Sequence, residues 1–224
     1  MHRIDCIHIS SPFIYILFVN QFKNFFKPYN SSKRILLRKY HNINLSILSF
    51  LMLGGMLIGS IQENKLNTLY NLFCKSYNNN NIMNLSVNIF LWSKYLEWID
   101  TLFLFLFNKP ISWLQYSHHM TTAILTYLNY KPEVSPFSLC PMGINCLVHI
   151  PMYWYFAYPK GKLYRYRKII TQIQIIQHIF IMILTFSTLY IFDNCKQNYY
   201  GNLIGFYLYV MYFSFFTFFY FKKY

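Results

Sequence analysis

Seven apolar runs recur along the 224-residue chain, near 8–22, 43–62, 84–107, 112–130, 136–158, 169–192 and 201–221. A helix needs about 20 apolar residues to cross the hydrocarbon of a bilayer. The recurrence therefore predicts an all-α integral membrane protein with seven transmembrane helices. The first run is the weakest. Its core, "FIYILFV", is short, and no small-residue cleavage site follows it to make it a signal peptide. Composition agrees, with 55% hydrophobic, 22% aromatic and 12% charged residues, where an ordinary soluble domain is about a quarter charged.

Charge sets the orientation, because cytosolic loops collect Lys and Arg. Fourteen of the 20 basic residues fall on one side: Lys23, Lys27, Lys33, Arg34, Arg38, Lys39, Lys109, Lys160, Lys162, Arg165, Arg167, Lys168, Lys222 and Lys223. The other side has Arg3, Lys65, Lys75, Lys131 and Lys196, with the acids Asp5, Glu63, Glu133 and Asp193. The expectation is a lumenal N-terminus and a cytosolic C-terminus. The net charge of +14 is then accounted for by topology and needs no nucleic-acid partner. The five cysteines, Cys6, Cys74, Cys140, Cys146 and Cys195, form no CxxC pair, so neither a disulfide framework nor a zinc site is expected.

Within the third run lies "KYLEWIDTLF". An ionisable group inside a span is costly and is a functional candidate by default. Lys94, Glu97 and Asp100 are spaced i, i+3, i+6, which places them on one face of a continuous helix. Other spans carry matching polar stripes. Gln115, His118 and Thr122 share a face of the fourth, with His119 beside them. Asn145, His149, Met152, Tyr153 and Phe156 form a stripe on the fifth. Thr171, Gln174 and Gln177 do so on the sixth. Counted at 1.5 Å per residue from the cytosolic ends, Asp100, His118, His149, Gln174 and Gln177 all lie roughly 8–13 Å deep. Four helices thus place imidazoles, carboxylates and carboxamides in one layer. His41, at a span edge, and His178 read as packing residues, and His2, His8 and His41 as remote from the layer. Gly55 with Gly59, and Gly201 with Gly205, read as close helix contacts. Pro151 is expected to kink the fifth span just after His149.

These motifs resemble the ELO family of very-long-chain fatty acid elongases. KxxExxDT is met by Lys94, Glu97, Asp100 and Thr101. NxxVHxxMYxYY is met by Asn145, Val148, His149, Met152, Tyr153 and Tyr155, with Phe156 in the last place. TxxQxxQ is met by Thr171, Gln174 and Gln177. HxxHH is met only in part, by Gln115, His118 and His119. The motifs stand in the family's order between Lys94 and Gln177. The resemblance implies that residues 1–224 form one ELO-type domain, with six of the seven helices in an inverted barrel around an acyl tunnel. It implies a 3-ketoacyl-CoA synthase of the endoplasmic reticulum that condenses a long acyl-CoA with malonyl-CoA, releasing CO₂ and CoA. The terminal "FKKY" also resembles a dilysine retrieval signal.

No cysteine lies in the motifs, so a thiol nucleophile is not supported. A neutral imidazole is a competent nucleophile. By resemblance and geometry, His118 is the expected acyl acceptor and His149 its partner, with His119 beside them. Asp100 and Glu97 are expected to orient an imidazole. Lys94 would balance the carboxylates or meet substrate. Asn145, Tyr153, Gln174 and Gln177 would hydrogen-bond the thioester oxygen or enolate. Gln115 is given a supporting role, since a carboxamide is neither nucleophile nor base. Lys160, Lys162 and Arg165 would meet the CoA phosphates. No metal and no cofactor beyond the two CoA substrates is expected. The membrane and the ketoacyl-CoA reductase, dehydratase and enoyl-CoA reductase of the elongation cycle are implied partners, with homodimerisation a family expectation.

Two other classes compete. A His-box membrane oxidoreductase needs more metal-binding imidazoles than this chain's seven histidines supply near one layer. A seven-span receptor or channel leaves the layer without a role.

Overall fold

The computed structural model describes residues 3–25, 31–75, 80–130, 136–191 and 198–224. His2, Lys27, Lys131, Glu133, Asp193, Cys195 and Lys196 lie outside them. The chain runs through α1 (Arg3–Ile9), α2 (Ser11–Phe25), α3 (Ser32–Gln62), α4 (Leu69–Phe73), α5 (Asn81–Leu96), α6 (Trp98–Leu106), α7 (Trp113–Tyr130), α8 (Leu139–Ala157), α9 (Arg167–Tyr190) and α10 (Tyr199–Lys223). Short 3₁₀ turns occupy Lys65–Asn67, Pro136–Ser138 and Lys162–Tyr166.

Among the described residues, three segments are long and apolar enough to cross a membrane: Ser32–Gln62, Lys162–Tyr190 and Tyr199–Lys223. The other apolar runs are helical but interrupted or polar. The first is divided at Ser10, whose hydroxyl donates to the Cys6 carbonyl, just before Pro12. The third is divided at Glu97, where the Asp100 N–H bonds the Glu97 carbonyl three residues back and tightens the turn. The runs in α7 and α8 contain the polar motif residues.

α3 is longer than its apolar run predicts. It starts at Ser31, whose side chain caps the helix by accepting from the Arg34 N–H. Its 31 residues span ~46 Å, more than the ~30 Å hydrocarbon layer. Lys33, Arg34, Arg38 and Lys39 therefore ride on the helix itself, and His41 and Asn42 are interior helical positions rather than edge residues.

Packing follows a cycle. α3 packs on α8, α8 on α9, α9 on α10, α10 on α7, α7 on α5, and α5 back on α3. The glycines make two of these contacts close. A Cβ on Gly55 would lie 2.0 Å from Ser86 Oγ, and one on Gly59 would lie 2.9 Å from the Met83 Cβ, so α3 approaches α5 nearly backbone to side chain. Gly205 faces Leu125 where α10 meets α7. Met52, Met56, Met83, Val87, Phe90 and Met142 fill the space between α3, α5 and α8.

α1 and α2 dock outside this cycle. His8 hydrogen-bonds the Tyr95 hydroxyl at 2.6 Å and stacks on Tyr127 at 4.7 Å. Tyr15 bonds Thr101 at 2.9 Å. The threonine of KxxExxDT thus anchors α2 rather than reaching the polar layer.

One expectation about cysteine is corrected. Cys74 is disulfide-bonded, with its partner outside the described residues, while Cys6, Cys140 and Cys146 are free. Cysteine spacing carries no signal for a bond that folding closes.

Candidate functional site

The residues of KxxExxDT and NxxVHxxMYxYY meet in a closed circuit of polar contacts. Lys94 Nζ donates to Glu97 Oε1 at 2.9 Å and to Asn145 Oδ1 at 2.8 Å. Asn145 Nδ2 contacts His149 Nε2 at 3.0 Å, and His149 Nδ1 faces the same Glu97 oxygen at 3.5 Å. The Lys94 ammonium also lies 4.2 Å from the centre of the Phe90 ring. Lys94 and Glu97 are only 3% and 2% exposed. Burial at that level is tolerable for charges because each has its opposite and its hydrogen bonds in place. The carboxamide donates to His149 Nε2, so the proton of a neutral ring sits on Nδ1, toward Glu97.

Asp100 turns elsewhere. Its Oδ1 is 2.9 Å from His41 Nε2 on α3, and its Oδ2 accepts from the Tyr153 hydroxyl at 3.0 Å. The expectation that Asp100 orients a motif imidazole is corrected: it holds His41. The reading of His41 as a remote packing residue is corrected with it. The two carboxylates take different partners: Asp100 meets His41 and Tyr153, while Glu97 meets Lys94 and faces His149.

On α7, Gln115 Nε2 lies 2.9 Å from His119 Nε2, one turn away. The Trp98 indole donates to the His119 carbonyl at 3.0 Å. His119 is buried and held. His118 is different. It lines the cavity, has no hydrogen-bond partner among the described contacts, and rests against Tyr212 at a centroid distance of 4.9 Å. The Tyr212 hydroxyl is occupied by Thr121 at 2.6 Å.

The cavity encloses about 650 Å³ of empty space, its open mouth included. Lys94, His118, Asn145, Gln177 and His178 line its head. Leu125, Asn129, Ser138, Gly201 and Gly205 line it toward the opposite helix ends. It runs between α5, α7, α8, α9 and α10.

The remaining sequence-derived residues divide clearly. Gln177 is buried in the cavity wall. Gln174 instead donates to Met152 Sδ at 3.0 Å, and the Thr171 hydroxyl bonds the Arg167 carbonyl of its own helix. Both tie the structure together and neither lines the cavity. Lys160, Lys162 and Arg165 are exposed on the turn between α8 and α9. His178, read as packing, lines the cavity, with its ring 4.9 Å from Phe216 and 5.6 Å from Tyr212. Its position directly after Gln177 is the available signal, although successive helical residues diverge by about 100°.

The ELO family, described as the GNS1/SUR4 family, matches residues 4–224. The chain belongs to the ELO family. Fatty acid elongase A of Dictyostelium discoideum is 36% identical over 141 residues, covering 62% of this ELO chain and 51% of the relative. Fatty acid elongase sre1 of the same organism is 30% identical over 174 residues, covering 75% and 64%. Very long chain fatty acid elongase 4 of Macaca mulatta is 24% identical over 181 residues, covering 75% and 56%. The ELO chain thus spans between about half and two thirds of the length of these relatives.

Proposed function

We propose that this ELO protein is a 3-ketoacyl-CoA synthase that lengthens a fatty acyl chain by two carbons. The observation that carries the reading is the convergence of the four motifs at the head of one cavity, where His118 presents an uncommitted imidazole. His119 and His149 are each engaged by a carboxamide.

In this reading the acyl carbon leaves the CoA sulfur for an imidazole nitrogen of His118, and the departing thiolate takes up a proton. The acyl tail occupies the cavity. Malonyl-CoA then loses CO₂, and the electron pair left behind forms an enolate. The enolate carbon attacks the acyl carbon as the bond to His118 breaks, and the leaving ring nitrogen takes up a proton from solvent, giving 3-ketoacyl-CoA and the neutral imidazole. Lys94, held by Glu97, and the Asn145 carboxamide lie at the cavity head, where they can meet carbonyl oxygen or the developing enolate. Lys160, Lys162 and Arg165 form a basic turn suited to CoA phosphates.

The protein is proposed to cross the endoplasmic reticulum membrane seven times, with six helices forming an inverted barrel around the acyl tunnel. The packing cycle of α3, α8, α9, α10, α7 and α5 supports the barrel. The basic helix ends support a cytosolic head. The Cys74 disulfide supports an oxidising, lumenal setting for the opposite end. The 3-keto product requires reductase, dehydratase and enoyl reductase partners, and a homodimer is part of the proposal.

The test is to feed labelled malonyl-CoA and a panel of long-chain acyl-CoAs to membranes containing the protein. A labelled 3-keto product two carbons longer is expected. No malonyl-dependent product with any chain length would overturn the reading.

A further inference from the structure

Two antiparallel helices mark the depth of the cavity in one register. His118 of α7 meets Tyr212 of α10, with ring centroids 4.9 Å apart. Further down, Gly205 of α10 faces Leu125 of α7, where an added Cβ would lie 3.5 Å from Leu125 Cδ1. Gly201 faces Asn129, whose Oδ1 would lie 3.3 Å from a Cβ there. All six residues line the cavity. Asn129 is eleven residues beyond His118 on α7, and Gly201 is eleven residues from Tyr212 on α10. Both helices therefore give the same wall, ~16 Å long.

The floor lies where this wall stops. Among the described residues, nothing on α7 beyond Asn129 and nothing on α10 before Gly201 lines the cavity. Phe137, in the turn before α8, lines this end and is 3% exposed. Its ring is backed by Phe73 of α4, 6.4 Å away between centroids. Polar residues of the wall are satisfied within their own helices. Thr126 Oγ1 donates to the Thr122 carbonyl, Asn129 Nδ2 to the Leu125 carbonyl and Thr185 Oγ1 to the Ile181 carbonyl. An apolar tail can lie against them without breaking a hydrogen bond.

An extended chain advances ~1.25 Å per carbon, at C–C bonds of ~1.5 Å and a tetrahedral angle, so ~16 Å holds about 13 carbons beyond an acyl carbon at His118. We propose that the acyl acceptor is a chain of up to about 14 carbons, with Phe137 and Gly205 as specificity-determining residues. The inference rests on the elongase reading above, which places the acyl carbon at His118. One misfit methylene in an apolar pocket costs about tenfold or more in specificity, so longer acceptors are rejected at the Phe137 floor. Gly205 stands opposite Leu125, seven residues beyond His118. A larger side chain there leaves room for about 8 carbons beyond the acyl carbon. Removing the Phe137 ring opens the floor instead.

The test feeds labelled malonyl-CoA and saturated acyl-CoAs of successive even lengths, from octanoyl-CoA to tetracosanoyl-CoA, to membranes containing the full chain. Extension should fall by about tenfold or more between myristoyl-CoA and stearoyl-CoA. Gly205→Leu should move that fall to chains shorter than myristoyl. Phe137→Ala should move it the other way, so that stearoyl-CoA gains on myristoyl-CoA. If Gly205→Leu does not fold, Gly205→Ala replaces it, since its Cβ meets nothing closer than 3.5 Å. That variant should lower the ratio of myristoyl-CoA to octanoyl-CoA extension. Stearoyl-CoA extended as well as myristoyl-CoA by the unaltered chain overturns the length inference while the elongase reading stands. A length profile that stays in place in the folded variants overturns the assignment to Phe137 and Gly205. If no acyl-CoA of any length is extended, the elongase reading falls and the length limit with it.

Discussion

His41 Nε2 and Asp100 Oδ1 lie 2.9 Å apart, joining α3 to α6 across 59 residues of sequence. The Tyr153 hydroxyl on α8 closes on the other oxygen of the same carboxylate. Asp100 is thus a three-helix tie at the rim of the site, and Glu97 is the carboxylate that faces a motif imidazole.

His41→Phe should keep the ring contact with Phe103, 5.4 Å away between centroids, and lose the hydrogen bond to Asp100. A hydrogen bond to a charged group is worth about 1.5–3 kcal/mol. The expected outcome is a lower thermal midpoint and an elongation rate reduced by roughly tenfold or more. An unchanged rate and midpoint would show the tie to be dispensable.

Lys94→Met should be more damaging than the loss of both charges. It leaves Glu97 buried without its ammonium, a situation that costs about 3–5 kcal/mol. The double variant Lys94→Met with Glu97→Gln should recover part of that stability without recovering activity. Denaturation of the purified single and double variants measures the coupling. Additive losses would show that the pair does not act as a unit.

Gln115→His should be tolerated, because an imidazole at that position can still bond His119. Gln115→Leu removes the 2.9 Å contact to His119 Nε2, and since His119 Nδ1 already has no hydrogen-bond partner, both ring nitrogens are then left unpaired. An activity loss on the order of tenfold is expected, from a hydrogen bond worth about 1 kcal/mol plus the unsatisfied nitrogen. Complete inactivity of Gln115→His would tell against a supporting role for this residue.

Gly55→Val tests the close approach of α3 and α5. Even a Cβ there would lie 2.0 Å from Ser86 Oγ and 3.3 Å from Ser86 Cβ. Forcing extra carbon into a packed contact costs about 1–3 kcal/mol. The thermal midpoint should drop, and pairing the change with Ser86→Gly should restore part of it.

Lys65, in the turn after α3, is fully buried, and its Nζ donates to the Lys75 carbonyl. Burial pushes its ammonium down from 10.5 to about 8, against an upward pull from Glu63 and with a further downward push from Lys75. Between these two values the unfolded chain holds a proton that the folded chain has released. Stability therefore rises with pH across that window, and below about 8 the full cost of burying the charge is present. Lys65→Met should flatten the rise in a pH series of thermal midpoints.

Much of the site was legible because motif spacing and depth are local properties. The helical spacing put Lys94 with Glu97 on one face and Asn145 with His149 on another, and these four do meet. Counting residues from the basic ends ranks depth alone, so it does not show that Asp100 takes His41 on α3 as its neighbour. His41 was hidden for a related reason. The apolar run of α3 begins after it, so nothing in the hydropathy indicates that the helix extends to Ser32 and carries the imidazole into the site. His178 was misread because its place in the cavity wall depends on where α10 lies, which no spacing within α9 reveals. The partner-dependent bond at Cys74 was unreadable on the same ground.

The central claim is that His118 carries the acyl group. Purified protein incubated with a long-chain acyl-CoA alone, then analysed by intact-protein and peptide mass spectrometry, tests it most directly. The account predicts an acyl adduct on His118, stoichiometric release of CoA, and loss of both the adduct and malonyl-dependent condensation in His118→Ala. An adduct on another residue, or condensation that persists in His118→Ala, would contradict it.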